Sequence, residues 1–328
     1  MRDRRVGFVI CLAAVVFLFP SAPVSRSLPE LLPQFKFQNN FWVNLHLFLR
    51  SEARRREHKS TPLMPAALSG EEQKAWTEAL DSYTELAKLN LIFDTRLIRI
   101  NNSLAELGDV ATLPAGSVEL GIVAALNAAA PIYRAHLWEQ HRRANEEWIA
   151  NFAPMIQQHA TAVTKALEAA YRVKWPAEPI LVDVTCESGP NEAYTTAGPP
   201  GTAGHTVMAA SKLSDADMNF ETVFHEASHT VDDPIMQMLN AEARRQKLKL
   251  PDDLWHVLIF YTTGEIVKRE LGKQGDPTYR PYAYRVNLYT SAGWDKMLSA
   301  LERDWQPYLD GRVEFGSALH NLVRDASE

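Results

Sequence analysis

The stretch His225-Glu-Ala-Ser-His229 constrains this chain more than any other. Residues four apart on an α-helix lie about 40° apart around its axis, so the two imidazoles project side by side from one face. Phe220, Val223, Phe224 and Val231 give the pair an apolar frame. The pattern predicts a helix over about residues 219–239, started by Ser214 or Asp215 and ended or kinked at Pro234.

Two imidazoles so arranged suit two corners of a tetrahedral zinc site. Glu226, at the same edge of the helix, is in reach of a metal-bound water and able to take its proton. The metal contributes the other half by acidifying that water and polarising a carbonyl. A third ligand is required. A metzincin-type extension needs Gly at 232 and His at 235, where Asp232 and Ile235 stand, which excludes that arrangement. Glu265 is the expected ligand, because a carboxylate between the apolar runs 257–260 and 266–267 needs a partner. The bland alternative pairs it with Arg269 at i+4. Gly264 beside it admits another backbone or a substrate. His256 is the rival ligand. It precedes Glu265 by nine residues, half a turn out of phase, so one straight helix cannot turn both to one metal. Asp252 and Asp253 suit capping. Asp232 shares the face of His225 and either fixes a ligand's tautomer or is an ordinary helix-end acid.

With these residues in view, the chain resembles the gluzincins, the thermolysin-like clan of zinc metallopeptidases, over roughly residues 180–270. The resemblance implies metal ligands His225, His229 and Glu265 with Glu226 as general base. It also implies an edge strand, here residues 205–210, that binds substrate backbone. A tyrosine or histidine stabilising the oxyanion is implied as well, for which Tyr282 and Tyr284 are the candidates, against ordinary packing. The chain departs from the pattern at two points: 36 residues separate His229 from Glu265, and Arg269 stands where an acid would follow.

Around the motif the sequence reads as α+β, predominantly α-helical, with a small β-sheet beside the active-site helix. Residues 28–170 are mainly helical, with Trp76, Leu80, Tyr83 and Ala87 at helical spacing and breaks near Pro131 and Pro154. Residues 179–185, β-branched between prolines and Ser188-Gly189-Pro190, read as a strand, and 205–210 as another. Residues 197–204, with three Gly and two Pro, are a loop that could act as a flap between Tyr194 and His205. A further helix opens at Leu250-Pro251-Asp252, and two amphipathic helices close the chain. The expected divisions are a signal peptide at 1–27, a helical region at 28–174 and a catalytic region at 175–328. Asn44 and His46, in an aromatic stretch, read as packing.

The first 27 residues join Arg2, Arg4 and Arg5 to a 14-residue apolar run and a small-x-small pattern at Ser25-Arg26-Ser27. That is the form of a secretory signal peptide, so the protein is expected to be exported, periplasmic or extracellular, without stable membrane insertion. Of the two cysteines, Cys11 lies in this segment, and Cys186 alone cannot form an internal disulfide. The formal charge of −6 becomes about −9 without residues 1–27, which argues against nucleic acid as a partner.

The sequence thus predicts a secreted zinc metallopeptidase acting on a peptide or protein. Two alternatives stay open: a zinc hydrolase of another amide or ester, and a non-enzymatic exported helical protein whose motif is structural or decayed.

Overall fold

Asn40, Ser69, Asp94 and Asp215 each stop a segment of extended backbone and start a helix by accepting hydrogen bonds from the amides of its first turn. At Ser69 a capping box with Glu72 satisfies one donor more, the Ser69 amide. In the computed structural model, which describes residues 34–327 apart from 65–67, 177, 189–192, 197–203, 212–214 and 274, these caps define an α+β fold dominated by helices. Residues 1–33, and with them the predicted signal peptide, lie outside the described residues.

The chain runs β1 (Phe35–Gln38), α1 (Phe41–Glu57), α2 (Gly70–Lys88), α3 (Thr95–Glu106), α4 (Leu120–Tyr133), α5 (Glu139–Tyr171), β2 (Ile180–Thr185), β3 (Ala193–Thr196), β4 (His205–Ala209), α6 (Ala216–Ser228), α7 (Asp232–Gln246) and α8 (Leu254–Lys273). Short helices α9 (Tyr282–Arg285), α10 (Leu288–Ser291), α11 (Asp295–Ala300) and α12 (Gln306–Leu309) then lead to α13 (Phe315–Ser327). Among the described residues the strands form one mixed sheet in the order β1-β2-β4-β3. β1 and β4 flank β2 in parallel, and β3 pairs antiparallel with β4. The central strands are covered on both faces, which is why β2 reads as an almost unbroken apolar run.

Residues 205–209, expected as the edge strand, are an interior strand, and β3 is the edge beside α6. Residues 28–170 also contain a strand, β1. Pro154 does not divide α5 either. It and Ala150, whose carbonyl it leaves without a helical donor, are both exposed, so that carbonyl is not buried unsatisfied. At Pro131 the helix relaxes into a π-turn, Arg134–Trp138, and continues.

Leu31–Glu328 forms one compact unit with two apolar clusters. One gathers α1 to α4 with Tyr194 and Val207. The other gathers β1, β2, the second half of α5 and the helices from α6 onwards. Among the described residues no helix is long and apolar enough to cross a membrane.

Candidate metal centre

Helix α6 is divided lengthwise by its sequence. Phe220, Val223, Phe224 and Ala227 are fully buried, with Phe224 edge-on to Phe35 of β1 at 5.3 Å. Glu221, Thr222, His225, Glu226 and His229 line a cleft of about 600 Å³ on the opposite side. The α-helix ends at Ser228, so His229 caps it and enters a 3₁₀ turn, His229–Val231. Pro234 has no N–H to continue an α-helix through this point. The chain instead starts afresh at Asp232, where the first turn needs no such donor. The predicted single helix over 219–239 is therefore two.

The third residue brought to the pair is His256, from the first turn of α8, and not Glu265. Each of His225, His229 and His256 offers a ring nitrogen, and these atoms lie within 4.8 Å of one another. Ring centroids are 5.0 Å apart for His225–His229, 5.1 Å for His229–His256 and 5.3 Å for His225–His256. Three imidazoles on three corners of a tetrahedron, with nitrogens at the usual zinc distance, would have centroids about 5 Å apart. None of the three rings makes a hydrogen bond within the described residues, and His225 Nδ1 is buried without a partner. A cation would supply what the protein leaves missing.

Aromatic walls hold the rings in place. His225 stacks on Phe260 at 3.7 Å, and His256 stacks on Trp255 at 5.0 Å, with Trp255 edge-on to His229 at 5.7 Å. Burial, followed by the neighbouring His229, pushes His225 well below its ordinary pKa and His256 to about 4. Both are therefore neutral with a lone pair to offer at neutral pH. Asp232 Oδ2 is 3.9 Å from His229 Nδ1, too far for a direct hydrogen bond.

Glu226 is 8% exposed. Burial raises its carboxyl pKa, against opposing effects of His229 and of a hydrogen bond from Thr195. That environment suits a group that must take up and release a proton. Glu265 points elsewhere. It pairs with Lys268 at 3.1 Å and lines a small pocket with Tyr279, Arg280 and Glu302. The buried carboxylate does have a partner, from i+3. Gly264 serves packing: a Cβ there would meet Pro281 Cβ at 2.7 Å and Glu221 Oε1 at 3.1 Å.

The two tyrosines separate. Tyr282 lines the cleft with its ring parallel to that of Phe260, 6.4 Å away. Tyr284 turns to the Glu265 side, donating to Glu302 Oε1 at 2.7 Å, and takes no part in the cleft. Asn44 and His46 pack as read: Asn44 accepts from Cys186 N at 3.0 Å, and His46 bonds Tyr83 at 2.8 Å. His205 is held by Asp183 at 2.6 Å inside the sheet. Residues 197–203 of the predicted flap lie outside the described residues.

Glu221 was not singled out by the sequence. It is buried, accepts from Tyr279 Oη at 2.6 Å and from the Tyr282 amide at 2.9 Å, and burial lifts its pKa to about 7. A carboxyl with a higher pKa folded than unfolded holds its proton more tightly in the native state. The resulting stabilisation is full below the unfolded value of 4.5 and is lost as pH rises through 7. The loss is roughly 3 kcal/mol. Glu221→Gln, which keeps an acceptor for both donors, will show a flatter dependence of Tm on pH between 5 and 7.5 than the wild type. An unchanged slope in thermal melts would refute the assignment.

Set against family models, curated proteins and solved structures, the chain matches none.

Proposed function

We propose that this protein is an exported zinc-dependent hydrolase of peptide bonds, with His225, His229 and His256 as the metal ligands and Glu226 as the general base. The observation that carries the reading is the triangle of imidazoles at tetrahedral spacing, without hydrogen bonds among the described residues and open to a cleft that Glu226 also lines. The three imidazoles would hold a divalent cation, which would supply polarisation of a substrate carbonyl and acidification of water. Glu226 takes the proton from the attacking water and returns it to the leaving amine.

Substrate binding is supported by β3. Its Ala193, Tyr194 and Thr195 line the cleft, and as an edge strand it has backbone groups to offer an extended peptide. Tyr282 is the member of the tyrosine pair that faces the cleft, which favours it over Tyr284 as the donor to a developing oxyanion. Likeness to the gluzincins is thereby confined to His225, Glu226, His229 and the following helix, since the carboxylate ligand that marks that group is replaced by an imidazole. Export rests on the signal-like sequence of residues 1–27.

Purified protein will carry one zinc per chain by elemental analysis. Chelation will abolish cleavage of a mixture of unstructured peptides, and added zinc will restore it. Substoichiometric zinc after incubation with the metal at neutral pH would overturn the reading. Stoichiometric zinc with cleavage of esters or non-peptide amides alone would reassign the substrate.

A further inference from the structure

The hydroxyl of Thr195 sits between three oxygen atoms. Its Oγ1 lies 3.0 Å from Glu226 Oε2, 2.9 Å from the Glu226 carbonyl oxygen and 2.9 Å from Thr206 Oγ1. Thr195 and Thr206 are direct cross-strand partners between β3 and β4, and both are buried. A hydroxyl has one proton to give and lone pairs to receive with. Thr206 can donate to Thr195, and Thr195 can then donate onwards to Glu226 at either of two acceptors.

We infer that Thr195 is a positioning residue for Glu226, fixing which carboxylate oxygen handles the reacting proton; this rests on the hydrolase reading above. The Thr195 hydroxyl donates to Oε2, and Oε1, which has no hydrogen-bond partner among the described residues, is the oxygen left for water. The Glu226 carbonyl oxygen lies at nearly equal distance from the same hydroxyl, so Thr195 holds the carboxyl against its own helix. Backbone pairing of β3 with β4 holds the hydroxyl at this spot, so the sheet edge that lines the cleft also aligns the base.

Thr195→Val preserves the shape and the strand preference but removes the hydroxyl. Thr195→Ser restores the hydroxyl with one methyl fewer. Zinc-loaded wild type and both variants would be assayed on the same fluorogenic peptide mixture, with zinc content and Tm measured in parallel. The expected result is a 10- to 100-fold loss of kcat in Thr195→Val, with KM and zinc stoichiometry unchanged, and recovery to within about threefold in Thr195→Ser. Wild-type kcat in Thr195→Val overturns the inference, as does a Thr195→Ser variant as impaired as Thr195→Val. If the zinc-loaded wild type cleaves nothing, the hydrolase reading has failed. Crystal structures of the two variants then decide the positioning role alone: Glu226 must change rotamer in Thr195→Val and keep it in Thr195→Ser, and one rotamer in both refutes it.

Discussion

Glu226→Gln protein will bind one zinc per chain and lose about 10³-fold in kcat. The two halves of this outcome come from different parts of the site. The proposed ligands are three imidazoles, and Glu226 is not among them. Gln matches Glu in size, and its amide oxygen can take the Thr195 hydrogen bond that now reaches Oε2 at 3.0 Å. Nothing in the ring triangle need move. What the amide cannot do is accept a proton at neutral pH, and the described cleft offers no substitute at the same position. Glu221, Asp232 and Asp253 also line it, but Glu221 is held by Tyr279 Oη at 2.6 Å and the Tyr282 amide at 2.9 Å, Asp232 is offset by 3.9 Å from His229, and Asp253 accepts from Trp294 Nε1 at 3.0 Å. Steady-state kinetics with elemental analysis on the same preparation measures both halves. Wild-type turnover in the zinc-loaded variant would remove Glu226 from the mechanism.

The pair His225 and His229 was legible because a four-residue spacing leaves little freedom: any helix through both must present them together. Helix α8 was legible too, its start marked by Pro251 and Asp252 and its core face by Val257, Leu258 and Ile259. The choice between His256 and Glu265 was not. Helical phase shows that one excludes the other, but which one turns to α6 depends on how α8 is rolled against its neighbours, and that is decided by packing between distant segments. In sequence, Glu265 stands among apolar residues with Arg269 as the evident i+4 partner. Arg269 in fact bonds Asp310, while Lys268, one position earlier, reaches Glu265. β1 and β3 were missed for a simpler reason. Four residues carry too little alternation to register, and their strand character comes from the neighbours they pair with. Thr195 and Glu221 acquire their roles only through cross-strand and interhelical contacts, Thr195 to Glu226 and Glu221 to Tyr279 and Tyr282.

His256→Ala will weaken zinc binding by between about 10²- and 10³-fold, whereas Glu265→Gln will leave both zinc affinity and turnover close to wild type. The estimate takes one ligand's share of the roughly 10–16 kcal/mol that zinc sites supply. His256→Ala also strips Trp255 of its stacking partner at 5.0 Å and opens space beside Phe260, so a lower Tm is expected even without metal. Loss of fold and loss of ligand are separated by His256→Gln, which fills more of the space but offers no imidazole nitrogen, and by comparing melts with and without zinc. On the proposed reading the wild type will gain Tm on zinc addition, as an ion that binds only the native state stabilises it, and both His256 variants will lose most of that gain at the same zinc concentration. Glu265→Gln breaks the ion pair with Lys268, whose side chain is 44% exposed, so little stability is at stake. Competition titration with a chromogenic chelator gives the affinities directly. The opposite ranking, with zinc lost from Glu265→Gln and kept by His256→Ala, would return the third ligand to the carboxylate and require α8 to sit rotated by half a turn from the position described.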